Sequence, residues 1–249
     1  MAQPEVPVFD CNAALGRLHN QRVAYDTRDD LLRMMSESGI AKAVVYNPYC
    51  LHFGTVEGNQ FLLEAIGGDQ RLIAQFVVNF ATDEISEIDA LVRQSGIRSL
   101  RVVPATHRYP LVHWIADPWL EWMAQERMAL WIPMSMRAEA DARDLYETAK
   151  RHPKVPVVLA GAHYNSYPVV WPLVKALDHL YVDTSRFDLL DGINRLLQRA
   201  GPRRILFGSD FPDVDPRPYL HYLRRCGLSN ADLEAICGGN LQRLIFAEG

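Results

Sequence analysis

Short apolar runs rich in valine and isoleucine recur along the chain. Each gives way to a polar stretch and then to apolar residues at helical spacing. The runs are Val6–Asp10, Ala41–Tyr46, Leu72–Asn79, Ser99–Val103, Ala129–Met134, Pro156–Ala160, Leu180–Asp183 and Arg204–Phe207. Their starts lie about 24 to 35 residues apart, the span of one strand–helix unit. Most are apolar on successive residues rather than alternating, as expected of parallel strands covered on both faces. Between them, helices are predicted over Arg28–Glu37 (Asp26-Thr27 as cap, Gly39 as stop) and Glu84–Gln94 (Thr82-Asp83 before it, Gly96 after). Further helices are predicted over Ala138–Arg151, Trp171–Asp178 and Asp191–Ala200. Ser229–Phe246 reads as two helices separated by Gly238-Gly239. The prediction is one α/β domain over residues 1–249, a single (β/α)8 TIM barrel with C-terminal helices.

In such a barrel the chemistry sits where strands end and in the loops that follow. Those positions hold Asp10, Cys11 and Asn12; Asn47, Tyr49 and His52; Asn79; Arg101; Ser135 and Arg137; His163, Tyr164 and Asn165; Asp183, Ser185 and Arg186; and Ser209 and Asp210. Arg101 alternates with Leu100 and Val102, so it should point into the barrel mouth. It either pairs with Asp10 or Asp210 or clamps a substrate carboxylate in a bidentate fork. Asp210 is a general base, a ligand, or a structural carboxylate accepting turn N–H groups. Asp183 and Arg186 read as an ion pair on the surface side, worth little. The loops Ala105–Asp117, with His107, Tyr109, His113 and Trp114, and Asn47–Thr55, with Tyr49, His52 and Phe53, read as aromatic lids suited to an apolar or planar substrate.

At 249 residues and 49% hydrophobic content the chain can bury a large core. Net charge is −4 and basic residues never run past two in succession, so no electrostatic footprint for nucleic acid exists. No apolar run reaches the length of a membrane span, and the first residues read as no secretory signal. The four cysteines (Cys11, Cys50, Cys226, Cys237) form no CxxC and read as reduced thiols of a cytoplasmic protein. No GxSxG, HExxH, GxGxxG or GxxxxGK[ST] occurs.

The run Arg204-Ile205-Leu206-Phe207-Gly208-Ser209-Asp210-Phe211-Pro212 resembles the strand-eight motif of the amidohydrolase superfamily, in its amidohydrolase-2 branch of metal-dependent decarboxylases and lactone hydrolases. Gly238–Leu244, Asp30–Tyr46 and Leu180–Ser185 are similar to that branch as well. The resemblance implies a barrel, possible homo-oligomers, and in metal-dependent members a His-x-His pair ending strand one, whose side chains face the same ion. Here Asn12 and Ala14 stand at those two positions, Gly161 stands at the strand-six histidine with His163 two residues on, and Pro133-Met134-Ser135 offers no ligand; Asp210 alone is kept. Zinc ordinarily takes three protein ligands, so no cofactor is expected. The alternative is a single divalent cation (Zn, Mn or Mg) drawn from Asp210, Asp10, Asn12 and His163.

Three functions remain open. The leading one is an amidohydrolase-like hydrolase acting on a small organic acid, ester, lactone or amide without a tightly bound zinc. Its catalytic residues would be Asp210 as base, Arg101 orienting an anion and His163 or Tyr164 as acid, with Asn12, Tyr164, Asn165, His107 and Tyr49 lining the substrate site. The second is a metal-dependent hydrolase or decarboxylase with a rearranged metal site. The third is a non-catalytic barrel that binds a small molecule or partner.

Overall fold

The computed structural model describes residues 6–17, 25–134, 139–187, 189 and 191–246. Among these described residues nine short strands form two parallel sets: β1 (Val8–Ala14), β2 (Ile40–Tyr46) and β3 (Leu72–Ala74), then β4 (Phe76–Val77), β5 (Ser99–Arg101), β6 (Ala129–Pro133), β7 (Val157–Ala160), β8 (Leu180–Asp183) and β9 (Ile205–Leu206). β3 and β4 are consecutive pieces of one extended run, interrupted at Gln75, so the strands count as eight. The ring closes between its last and first members: the Cys11 N–H donates to the Phe207 carbonyl at 2.9 Å, and Ala13 bridges Phe211 in parallel. The chain is thus a (β/α)8 barrel, as its apolar rhythm predicts.

Around it run α1 (Arg28–Ser38), α2 (Thr55–Ile66), α3 (Ile85–Ser95), α4 (His113–Gln125), α5 (Ala142–Arg151), α6 (Tyr167–Ala176), α7 (Gly192–Ala200), α8 (Pro216–Leu223), α9 (Asn230–Glu234) and α10 (Asn240–Phe246). Local signals set their ends. Thr27 caps α1 by accepting from the Asp30 N–H, and Gly39 ends it in the left-handed region at φ 72°. Asp141 caps α5 through the Arg143 N–H, so that helix begins later than the predicted Ala138, which lies outside the described residues together with Ser135 and Arg137. α6 starts four residues before the predicted Trp171, because Pro168 fits its first turn. α4 begins at His113, which shortens the predicted loop to Val112.

Gly238-Gly239 does not separate two helices as predicted. Both belong to a π turn, Ala235–Gly239, that joins α9 to α10 without a break. A Cβ at Gly238 would lie 3.1 Å from the Pro7 carbonyl oxygen and 3.3 Å from the Phe9 ring, so the glycine lets the turn press against the start of β1.

Strand alternation sorts the apolar residues into two layers. Leu100, Leu130, Ile132, Val157, Leu159, Leu180, Val182 and Ile205 face the helices and join the main core. Their neighbours Ala129, Trp131, Val158, Ala160 and Leu206 form a second cluster with Cys11 inside the ring, into which α10 sends Leu241 and Ile245. The Trp131 indole N–H donates to the Cys11 carbonyl at 3.1 Å, which anchors this plug. The positions that share the inner face with these residues, among them Ser99, Arg101 and Asp183, are therefore committed to the interior.

Candidate active site

Arg101 ends β5 on the inner face and is only 3% exposed. Burial of a guanidinium normally calls for a carboxylate partner. Among the described residues none lies within ion-pair distance. Its Nε donates to Gln75 Oε1 at 2.7 Å and its Nη2 to Asn12 Oδ1 at 2.7 Å, both neutral amides. The Tyr46 ring lies beneath it, 4.1 Å from the guanidinium carbon.

Three buried or half-buried aspartates belong to the same barrel mouth. Asp10 accepts the backbone N–H groups of Asn12 and Ser209 on Oδ1 at 3.0 and 2.9 Å, tying β1 to the segment after β9. Asp183 accepts on Oδ1 from the Gly161 N–H, the Ser185 N–H and the Ser185 hydroxyl at 2.9, 3.1 and 2.8 Å. It is fully buried, so the expected surface-side pair with Arg186 does not form; strand alternation turns Asp183 inward. Arg186 instead approaches Asp210, Nη1 to Oδ2 at 3.6 Å.

Asp210 differs from the other two. Its backbone is left-handed at φ 57°, and its N–H donates to the Asn12 carbonyl at 2.8 Å. No hydrogen bond from a described residue reaches its carboxylate. Among the described residues the side-chain role of holding these turns falls to Asp10 and Asp183.

Burial raises all three carboxyls to about 6, against an ordinary 3.8. For Asp210 the neighbouring Asp183 adds to the rise while Arg186 opposes it. These groups bind protons more tightly folded than unfolded. Their stabilising contribution is therefore complete below about pH 4 and is lost as pH rises through 6. Exposed carboxylates such as Asp69, held near 2 by Arg71, act only at lower pH. We expect the denaturant midpoint to fall between pH 4.5 and about 7, and Asp183→Asn to flatten that fall. A midpoint that climbs over the same range contradicts the assignment.

The strand ends open into a cavity of about 320 Å³ whose walls include Asn12, Tyr46, His52, Arg101, Thr106, Glu139, Arg186, Asp210 and Asp213. A smaller space of about 140 Å³ adjoins it beside Ala14, Tyr46, Asp210 and Pro212. Glu139 is fixed by the Thr106 N–H and hydroxyl, each at 2.9 Å. Of the residues predicted for the site, Asp210, Arg101 and Asn12 come together on these walls. His163, Tyr164 and Asn165 do not line the cavity. Gly161 turns the chain at φ 63°, and the following short helix, Tyr164–Ser166, carries Tyr164 and Asn165 to the exposed surface. His107 sits outside the cavity wall, with Nε2 2.9 Å from the Cys50 carbonyl oxygen. Tyr49 stacks on Phe53 at 4.6 Å between ring centres and meets Phe61 edge-on at 5.3 Å. Gln75, Tyr46, Thr106 and Glu139 are site residues that the sequence reading missed.

The donor set does not fit the metal ion that the family resemblance implies. Asn12 spends its carbonyl on Arg101 and its amide on Ser185 at 3.1 Å, and neither Ala14 nor Gly161 has a donor atom. Among the described residues no group of three or more His, Cys, Asp or Glu side chains converges as a metal site needs. The guanidinium of Arg101 already holds the one amide that stands at a metal-histidine position.

Among the described residues no helix is long and apolar enough to cross a membrane. No curated protein matches the chain. Solved structures do. An amidohydrolase from Burkholderia multivorans with bound HEPES shares 16% identity, with 96% of this chain and 99% of that one covered and a TM-score of 0.76. A 2,6-dihydroxybenzoate decarboxylase from Rhizobium shares 13%, with coverage of 96% and 98% and a TM-score of 0.78. A 5-carboxyvanillate decarboxylase from Novosphingobium aromaticivorans, complexed with manganese and 4-hydroxy-3-methoxy-5-nitrobenzoic acid, shares 12%, with coverage of 99% and 98% and a TM-score of 0.78. The amidohydrolase family model matches residues 19–246, so this chain belongs to the amidohydrolase family.

Proposed function

We propose that the protein is a hydrolase of a small organic acid, in ester, lactone or amide form, that works without a tightly bound metal ion. One observation carries the reading: a buried guanidinium held by neutral amides opens into the same cavity as a carboxylate that accepts no hydrogen bond from a described residue. Arg101 binds the substrate carboxylate and sets its orientation. Asp210 takes a proton from a water molecule as its oxygen bonds to the acyl carbon. It then returns that proton to the departing oxygen or nitrogen as the carbon–heteroatom bond breaks. Arg186, beside Asp210, lies where it can offset the negative charge that develops on the acyl oxygen. His163 and Tyr164, the acids expected from sequence, have no part in this scheme because they do not wall the cavity. Two of the similar structures are named for decarboxylases of benzoate-type acids, which supports a carboxylate-bearing substrate.

The test is a hydrolysis screen of lactones, esters and amides, each with and without a free carboxylate, in the presence of chelator. The reading predicts turnover confined to carboxylate-bearing compounds. Turnover indifferent to the carboxylate contradicts the role of Arg101, and turnover that vanishes with chelator contradicts the absence of metal.

A further inference from the structure

We infer that Asn12 and Gln75 are positioning residues that hold the Arg101 guanidinium in a fixed fork without pairing it directly to a carboxylate, so that an entering carboxylate becomes its direct counter-ion. The inference rests on the reading of Arg101 as the carboxylate-binding group. Two fully buried aspartates, Asp10 in β1 and Asp183 at the end of β8, face the same barrel interior, yet both acceptors of Arg101 are amides. Of the five guanidinium N–H donors two are used, and Nη1, which makes no hydrogen bond to a described residue, is not sealed from the cavity.

The orientation of Asn12 is dictated from the far side. Asp183 can only accept when ionised, so the Ser185 hydroxyl donates to it. The Ser185 oxygen therefore accepts from Asn12 Nδ2, and Asn12 Oδ1 must face Arg101. Gln75 makes the same point by its cost. It is 1% exposed, its Oε1 serves Arg101, and its Nε2 is buried without a protein acceptor. A glutamate of the same shape would have no orphaned donor and would form a buried ion pair, but it would also cancel the charge. The amides serve the ligand rather than the resting protein.

Isothermal titration with benzoate, and with benzamide as the neutral isostere, tests this on the wild type, Asn12→Asp, Gln75→Glu, Gln75→Leu and Arg101→Met. The wild type should bind benzoate in preference to benzamide. Asn12→Asp and Gln75→Glu should each lose at least about tenfold in benzoate affinity, and Gln75→Glu, which removes an orphaned donor, should keep a thermal midpoint equal to or above the wild type's. Gln75→Leu, which removes the acceptor without adding charge, should lose less than Gln75→Glu. A merely structural role predicts the reverse order, because leucine disturbs the packing more than glutamate does. Wild-type benzoate affinity in folded Asn12→Asp and Gln75→Glu, with loss in Arg101→Met, overturns this inference alone. Failure of the wild type to prefer benzoate overturns the reading of Arg101 and this inference with it.

Discussion

Replacing Arg101 with methionine is expected to lower affinity for small carboxylates by about 100-fold, roughly 2.7 kcal/mol. That is within the usual range for losing one partner of a desolvated charge pair. Two effects on stability oppose each other. Removal of the guanidinium strands Asn12 Oδ1 and Gln75 Oε1, a cost of about 1–3 kcal/mol for each buried acceptor. It also relieves the protein of a buried cation that no described carboxylate pairs with directly. The folded state should survive with a modest change in thermal midpoint, so that the binding loss reads as chemistry rather than collapse. Arg101→Lys keeps the charge but not the fork, and should fall between the two. Titration calorimetry of the three proteins with one carboxylate measures this order. Equal affinity in wild type and Arg101→Met places the anion elsewhere.

The second large effect is on turnover. Asp210→Asn preserves volume, and no described residue hydrogen-bonds to the Asp210 carboxylate, so the barrel should form normally. The rate should fall by about 10²–10⁴, the range for loss of a positioned general base. Substrate binding should be unchanged or tighter, because a negative charge beside the anion site is gone. In the wild type, kcat/KM should rise with pH through about 6 and then level, since Asp210 must lose its proton to act and burial holds its carboxyl at about 6. Steady-state kinetics across pH 4.5–8 on both proteins provides the check. Asp210→Asn with wild-type turnover assigns the base to another residue.

These expectations show which features the sequence carried. The barrel was legible because parallel strands covered on both faces leave valine- and isoleucine-rich runs at regular spacing. Arg101 was legible for the same reason: a charge inside such a run, next to Leu100, has nowhere to go but the interior. Asp183 obeyed the same alternation and was misread, because the nearby Arg186 offered a simpler partner. Gln75 interrupts the apolar run Leu72–Asn79, and that interruption was a usable signal for a polar group inside the ring. Glu139 could not be found this way, since only the tertiary placement of Thr106 brings it to the cavity. The expected role of His163, Tyr164 and Asn165 assumed that the chain continues outward from β7 over the mouth. The left-handed turn at Gly161 redirects it, and no spacing rule announces that turn. Asn12, expected at the substrate site, stands on the cavity wall with its two side-chain ends engaged by Arg101 and Ser185.

On our proposal the resident cation of this barrel mouth is a guanidinium and not a metal ion. Elemental analysis tests it most directly, on protein purified without chelator and again after incubation with zinc, manganese and magnesium. The account predicts far less than one equivalent of any metal under every condition. Near-stoichiometric metal that disappears in Asp210→Asn would contradict it.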